Sequence, residues 1–172
     1  IVSVVVVYQQ IGFIHTKNLG FEKDNIIRIN NEGNLSKNQA TFHNEVKKIP
    51  GVIEATGMSG DLVGMHSGGG GINWEGKNPN EGIEFAGFYV DYNLVEMLNL
   101  ELTDGRSFSS GVVTDRDKVI FNETAIAMMK LKDPIGKVVT MWGKERQIIG
   151  IVKNFHYESL YKEIGPLFIA CQ

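Results

Sequence analysis

Four histidines, one cysteine and a run of four glycines are the residues of this 172-residue chain whose types could carry chemistry. Asp61 and His66 share a loop and His156 lies far along the chain. Were these three to converge, they would offer a metal one carboxylate and two imidazoles. Zinc takes three or four ligands, usually at HxxxH, HExxH or paired-cysteine spacing, and the chain has none of these. His15 and His43 fall on expected helix surfaces, where solvation is the ordinary outcome. Gly68-Gly69-Gly70-Gly71 leads into Ile72-Asn73-Trp74, whereas a phosphate cradle needs a helix N-terminus after the loop, often with Lys-Ser/Thr. A flexible loop is the stronger reading. Ser67 has no base at a diagnostic spacing, no serine sits in a GxSxG elbow, and Cys171 lies at the chain end. Of the triplets Asn34-Leu35-Ser36 and Asn122-Glu123-Thr124, the second starts a helix more readily than it carries a glycan. No catalytic, metal or cofactor site emerges, which leaves a binding or transmitting domain.

Charge and composition narrow the class further. Lys+Arg number 17 against 20 Asp+Glu, a net charge of −3, without the basic surplus that nucleic-acid binding requires. At 42% hydrophobic and 22% charged the chain is an ordinary folding composition, large enough for one core or two small lobes. Its 20 glycines against 4 prolines favour strands joined by tight turns. A single cysteine permits no internal disulfide and does not identify the compartment.

Residues 1–7 are apolar but lack a Met start, a basic n-region and a cleavage site, so a signal peptide is not expected. The run is shorter than the ~20 residues of a spanning helix, and is either a buried strand or the end of a membrane helix. Residues 8–18 turn amphipathic, with Gly20 placed as a C-cap; the alternative is an edge strand followed by a short helix. Residues 24–30 read as a strand. Ser36 reads as the N-cap of a helix bearing Phe42, Val46 and Ile49, Pro50-Gly51 stops it, and residues 52–59 read as a second, parallel strand. Residues 60–82 form a loop with a short strand near Ile72.

Beyond it, the pattern predicts strands at 83–90, 100–102, 117–121, 138–142 and 147–152, the last two forming a hairpin around Gly143-Lys144-Glu145-Arg146. Short helices are expected after Asp91, as cap, and over 123–131, and Asp133-Pro134-Ile135-Gly136 makes a turn. The fold class is therefore α+β: an α/β lobe of strand, helix and strand, and a second, strand-rich lobe.

Several phrases occur in register: Asn18-Leu19-Gly20-Phe21 with Asp24-Asn25-Ile26-Ile27, Ile49-Pro50-Gly51-Val52, Asp104-Gly105-Arg106-Ser107-Phe108, Val119-Ile120-Phe121-Asn122-Glu123-Thr124-Ala125, Asp133-Pro134-Ile135-Gly136-Lys137, and 148–156 ending Lys153-Asn154-Phe155-His156. Their order resembles the extracytoplasmic core domain of MacB/FtsX-type ABC transporter permeases, in a Bacteroidetes-like form, over nearly the whole chain. The resemblance implies a domain on the periplasmic side of the cytoplasmic membrane, inserted between membrane helices. It implies a membrane-helix end and amphipathic extension at 1–20, a porter-like α/β lobe at 21–60 and an inserted strand-rich lobe at 61–155. Residues 156–172 would return toward the porter-like lobe, truncated before its remaining half.

The same resemblance implies no enzymatic site and no cofactor in this chain: a separate cytoplasmic ATPase subunit would hydrolyse ATP, and helix motion would pass to this domain to export or release a substrate. A permease dimer and a periplasmic adaptor or lipoprotein substrate are the further expected partners. A free-standing ligand-binding or sensory domain is the alternative. Gly20, Gly105, Arg106, Asn122, Glu123, Pro134, Gly136 and Gly150 read as structural. Trp74 and the Phe155-His156-Tyr157 segment are the candidate partner or substrate surface, with burial in the core as the competing reading for Trp74 and Phe155.

Overall fold

The computed structural model describes residues 17–64, 66–109 and 113–171, together with Val4, Val7, Tyr8 and Gly12. Those four are helical and exposed, and the rest of residues 1–16, where the membrane-helix end was expected, lies outside the described residues. Among the described residues no helix is long and apolar enough to cross a membrane.

The strands, in chain order, are β1 (Ser67–Gly69), β2 (Ile72–Asn73), β3 (Phe85–Val90), β4 (Leu102–Gly105), β5 (Lys118–Asn122), β6 (Val138–Met141), β7 (Lys144–Val152) and β8 (Leu167–Cys171). The helices are α1 (Asn34–Lys37), α2 (Gln39–Val46), α3 (Leu94–Met97) and α4 (Glu123–Met129), and a 3-10 turn, Val113–Asp117, leads into β5. All eight strands join one sheet in the order β1-β3-β8-β5-β7-β6-β2, with β4 also paired to β7. The β3/β8 and β5/β7 pairs are parallel and the others antiparallel.

Alternation along the central strands sorts the core into two layers. Val119 and Phe121 of β5, Phe168 and Ala170 of β8, and Ile148 of β7 join one cluster with Ile72, Phe85, Val139 and Met141. Ile120, Leu167, Ile169, Cys171 and Ile149 point the other way and pack with Phe88, Leu94, Leu98, Phe108, Phe155 and Tyr157. The sheet is thus covered on both faces, which is why β8 is apolar at every position.

The glycine run has a specific job in this sheet. β1 and β2 lie at opposite ends of the strand path, yet only Gly70 and Gly71 separate them. Three Cα steps reach at most roughly 11 Å, so the sheet must curl until its ends meet. At that closure the Trp142 N–H donates to the Gly71 carbonyl at 2.9 Å, and a Cβ on Gly71 would fall 2.3 Å from the Trp142 indole nitrogen. The expected flexible loop is in this part a strand that changes partners, from β3 to β6.

Several expectations are corrected in detail within the mixed α+β class. Residues 24–30 and 52–56 are not ladder strands, so the parallel strand-helix-strand unit does not form among the described residues. Alternating isoleucines supply one face of a strand but not its backbone partner, and Ile27 and Ile53 stay 86% and 96% exposed. Only the tip of the second segment pairs: Met58 bridges Val90, and the Ser59 N–H donates to the Tyr89 carbonyl at 2.7 Å. Ser36 falls inside α1 rather than capping it, and Asn38 separates α1 from α2.

Asn93, in left-handed backbone, holds the position before α3 without a side-chain cap bond, and the expected cap Asp91 accepts from the Gly57 N–H at 3.1 Å instead. The hairpin turns at Trp142-Gly143, both at positive φ, so Lys144, Glu145 and Arg146 belong to β7. Within residues 156–172, β8 lies mid-sheet between β3 and β5, where an all-apolar strand finds both faces covered.

Candidate functional site

The residue phrases noted in the sequence meet at joints between elements. Asn122, fully buried at the end of β5, uses both ends of its amide. Its Oδ1 accepts from the Ala125 N–H, capping α4, and from the Leu167 N–H at the start of β8, both at 2.9 Å. Its Nδ2 donates to the Gly165 carbonyl at 2.9 Å. One side chain therefore fixes the helix start, the β8 start and the loop before it, and its full burial leaves no space for a glycan.

The next residues reach the end of β7. The Glu123 carboxylate accepts from the Asn154 N–H at 3.0 Å, and Asn154 Oδ1 accepts from the Thr124 N–H and hydroxyl, each at 3.1 Å. Asn154 is followed by Phe155, buried in the core, and His156, half-buried, whose N–H donates to the Leu19 carbonyl at 2.7 Å. Gly20 lies against this segment with φ +85°; a Cβ there would come within 2.9 Å of the Phe155 Cβ and 3.0 Å of its Cα. Only glycine combines that backbone with that approach. Phe21 then sets its ring edge-on to Phe155 at 6.2 Å, and the Glu22 N–H donates to the Leu98 carbonyl at 2.8 Å. Residues 18–22 are thus fastened to the sheet unit at two backbone bonds and one aromatic pair.

A second joint holds β4 to the turn before β5. Asp115 is 0% exposed, and Arg106 meets it with both guanidinium nitrogens, at 2.8 and 2.7 Å. The Ser109 N–H adds a third bond at 2.8 Å. The guanidinium of Arg106 therefore holds the Asp115 carboxyl below its usual range, and Asp115 in turn raises Arg106. Gly105 precedes this arginine at φ +74°, with Gly150 of β7 so close that its Cβ would lie 2.4 Å from the Arg106 carbonyl oxygen. Gly136 occupies the third position of a turn closed by Lys137 N–H to Pro134 C=O at 3.1 Å, with Pro134 buried at its first.

The expected aromatic surface is mostly interior. Trp74 is buried and its indole N–H donates to the Met129 carbonyl at 3.2 Å, while Phe155 and Tyr157 pack in the other layer. Burial pushes the Tyr157 phenol up to about 12, so it stays protonated. A bulky aromatic flanked by glycines gave the same signal in either environment; the neighbouring strands decide. Trp142 is the half-exposed tryptophan instead, at 46%, leaning on Phe168.

Asp61, His66 and His156 take separate roles. Asp61 pairs with Arg28 at 2.5 Å, and His66 sits edge-on between Phe88 and Tyr157, 5.0 Å from each, with no partner for either ring nitrogen. No group of three or more metal-type ligands occurs among the described residues. Asp115, Asn154 and Arg146 escaped the sequence reading. The Arg146 guanidinium bonds the carbonyls of Arg116, Lys118 and Cys171 at 2.6, 3.2 and 3.4 Å, stitching the sheet behind β5. Asn154 stands in a singled-out phrase, which is the one signal that could have found it; Asp115 and Arg146 carry none.

Solved structures of the same fold are found in two proteins. The periplasmic region of MacB from Actinobacillus actinomycetemcomitans is similar with a TM-score of 0.52 and 17% identity, over 75% of this chain and 62% of that one. The extracellular domain of the ABC-type transporter YknZ from Gram-positive bacteria gives 0.51 and 17%, over 78% of this chain and 65% of that one. The chain thus spans less than two thirds of either. No curated protein sequence matches it. The family model described as MacB-like periplasmic core domain matches residues 1–164, so the chain belongs to the family of MacB-like periplasmic core domains of ABC transporter permeases.

Proposed function

We propose that this domain stands outside the cytoplasmic membrane and passes the motion of a membrane helix to a sheet unit that moves or releases a substrate. The observation that carries the reading is the fastening of residues 18–22 to Leu98 and to Phe155-His156, on the chain that follows the helical residues Val4, Val7, Tyr8 and Gly12. A free-swinging tether would need none of these contacts. The chain performs no catalysis in this account: ATP hydrolysis belongs to a separate cytoplasmic subunit, reached through the membrane part of the permease. A second permease copy, and a periplasmic adaptor or lipoprotein substrate, complete the assembly. Residues 21–60 are the smaller, porter-like lobe. Of the four residues expected at the partner surface, His156 keeps partial access.

The test uses the full-length permease with its ATPase in proteoliposomes. Spin labels at Lys132→Cys, an exposed position, are introduced in a Cys171→Ala background. The distance between the labels of two permease copies changes when nucleotide is trapped. An unchanged distance, with ATP hydrolysis intact, contradicts transmission.

A further inference from the structure

We infer that the sheet unit, not the helical lobe, is the body that moves with the segment entering from the membrane side, and that Gly20, Phe21 and Phe155 form the latch that makes them one body. This rests on the transmission reading above and names the coupling element within it. Their contacts divide residues 17–64 into two unlike parts. Residues 18–22 are held at short range: Leu19 by the His156 amide, Gly20 by backbone contact with Phe155, Phe21 by its ring, and Glu22 by the Leu98 carbonyl. Phe21 also packs on the core layer built by Phe88, Leu98 and Tyr157.

Immediately afterwards the character changes. Residues 22–34 are exposed at every position, and residues 22–33 contain no helix or ladder strand. An Arg28–Asp61 ion pair ties this strap to the loop before β1. Residues 57–59 are themselves edged onto β3, by the Asp91 N–H on the Gly57 carbonyl at 2.9 Å and the Ser59 N–H on the Tyr89 carbonyl at 2.7 Å, with Met58 packed on the core. The α1–α2 lobe before them meets the sheet unit through polar contacts: the Thr56 hydroxyl on the Tyr92 carbonyl at 2.9 Å, Asn93 on Glu54 at 3.2 Å, and His43 3.6 Å from Asp91. Polar, partly wetted contacts of this kind exchange readily for water, whereas burying Phe155 against a glycine backbone leaves no room for it.

A push on the entering segment therefore reaches Phe155 first, passes along the backbone to Asn154, and through its bonds with Glu123 and Thr124 reaches the start of α4. The strap absorbs the remainder, and the helical lobe follows loosely. Gly20 is the positioning residue of the latch: any side chain there must either push Phe155 out or open the Leu19–His156 bond.

Distances between spin labels in the full-length permease with its ATPase decide the matter, in the Cys171→Ala background. Tyr8→Cys is paired with Lys132→Cys on the sheet unit, and separately with Asn44→Cys on α2; all three positions are exposed. The 8–132 distribution is expected to be narrow and the same with and without trapped nucleotide, and the 8–44 distribution at least twice as broad. Gly20→Val should broaden the 8–132 distribution about twofold and Phe21→Ala by less. A 132–144 pair, with Lys144→Cys, stays narrow in both variants and certifies that the sheet unit is folded. An 8–132 distribution as broad as 8–44, or one indifferent to both substitutions, overturns the latch. If 8–132 is narrow but no pair, including 132–132 between copies, responds to nucleotide, the latch stands and the transmission reading fails.

Discussion

The two halves of this chain obey different rules. Among the described residues, all of the fully buried hydrophobic side chains lie between Ile72 and Cys171, whereas within 17–64 the one buried position described is Gly57. The sheet unit makes its own core, two-layered and closed by the bent strand through Gly70 and Gly71. The leading part has no such core and takes its place from what the sheet unit offers: backbone carbonyls, the Asp91 carboxylate and one aromatic ring. Stability and position are therefore separable here. Substitutions in the sheet unit should unfold the molecule, while those in the leading part should change where it sits.

The largest effect expected from this contrast is at Phe168, whose ring fills the space over Gly87 and touches Tyr89 and Trp142. Phe168→Ala should cost about 4 kcal/mol in urea unfolding. Asn122→Ala comes next, at about 3 kcal/mol, because it removes the α4 cap and strands the Leu167 N–H and the Gly165 carbonyl.

Arg106→Ala should cost about 2 kcal/mol, less than a fully buried pair because the arginine side chain is half exposed. Its pH signature is the sharper test. A carboxyl held below its usual range stabilises the fold fully above the unfolded value, roughly 3.9, and the contribution disappears as pH falls through the lower folded value. The gap between wild type and Arg106→Ala should be full at neutral pH and shrink below about pH 4. A gap that is constant down to pH 2 would assign the loss to packing instead. At the small end, Ile53→Ala, on a bare surface, should shift stability by no more than about 0.5 kcal/mol, and Lys153→Ala, at an exposed pair with Glu101, should leave the urea midpoint unchanged. A loss above 2 kcal/mol at Ile53 would mean that the leading part has a core after all.

What was legible in the sequence follows the same division. β5, α4, the Asn122 cap and the turn at Pro134 to Gly136 are set by residues close in sequence, and each forms within a residue or two of its expected place. Residues 24–30 carry a strand's alternation, but a strand also needs a partner backbone, which no local pattern contains. For the same reason the closing role of Gly70 and Gly71, and the mid-sheet place of β8, were invisible: both depend on which distant strands arrive alongside. The phrases that carry the family resemblance were readable as words, and their physical meaning emerges only from pairs such as Thr124 with Asn154 and Gly20 with Phe155.

The central claim is that residues 18–22 belong mechanically to the sheet unit, and amide hydrogen exchange of the native chain reads it directly. The His156 N–H bonded to Leu19 and the Glu22 N–H bonded to Leu98 should be protected on the order of 100-fold or more over the amides of residues 26–30, opening only with the sheet unit. Gly20→Ala should lower that protection at His156 while leaving the amides of β5 unchanged. Exchange at Glu22 and His156 as fast as in the strap would contradict the account.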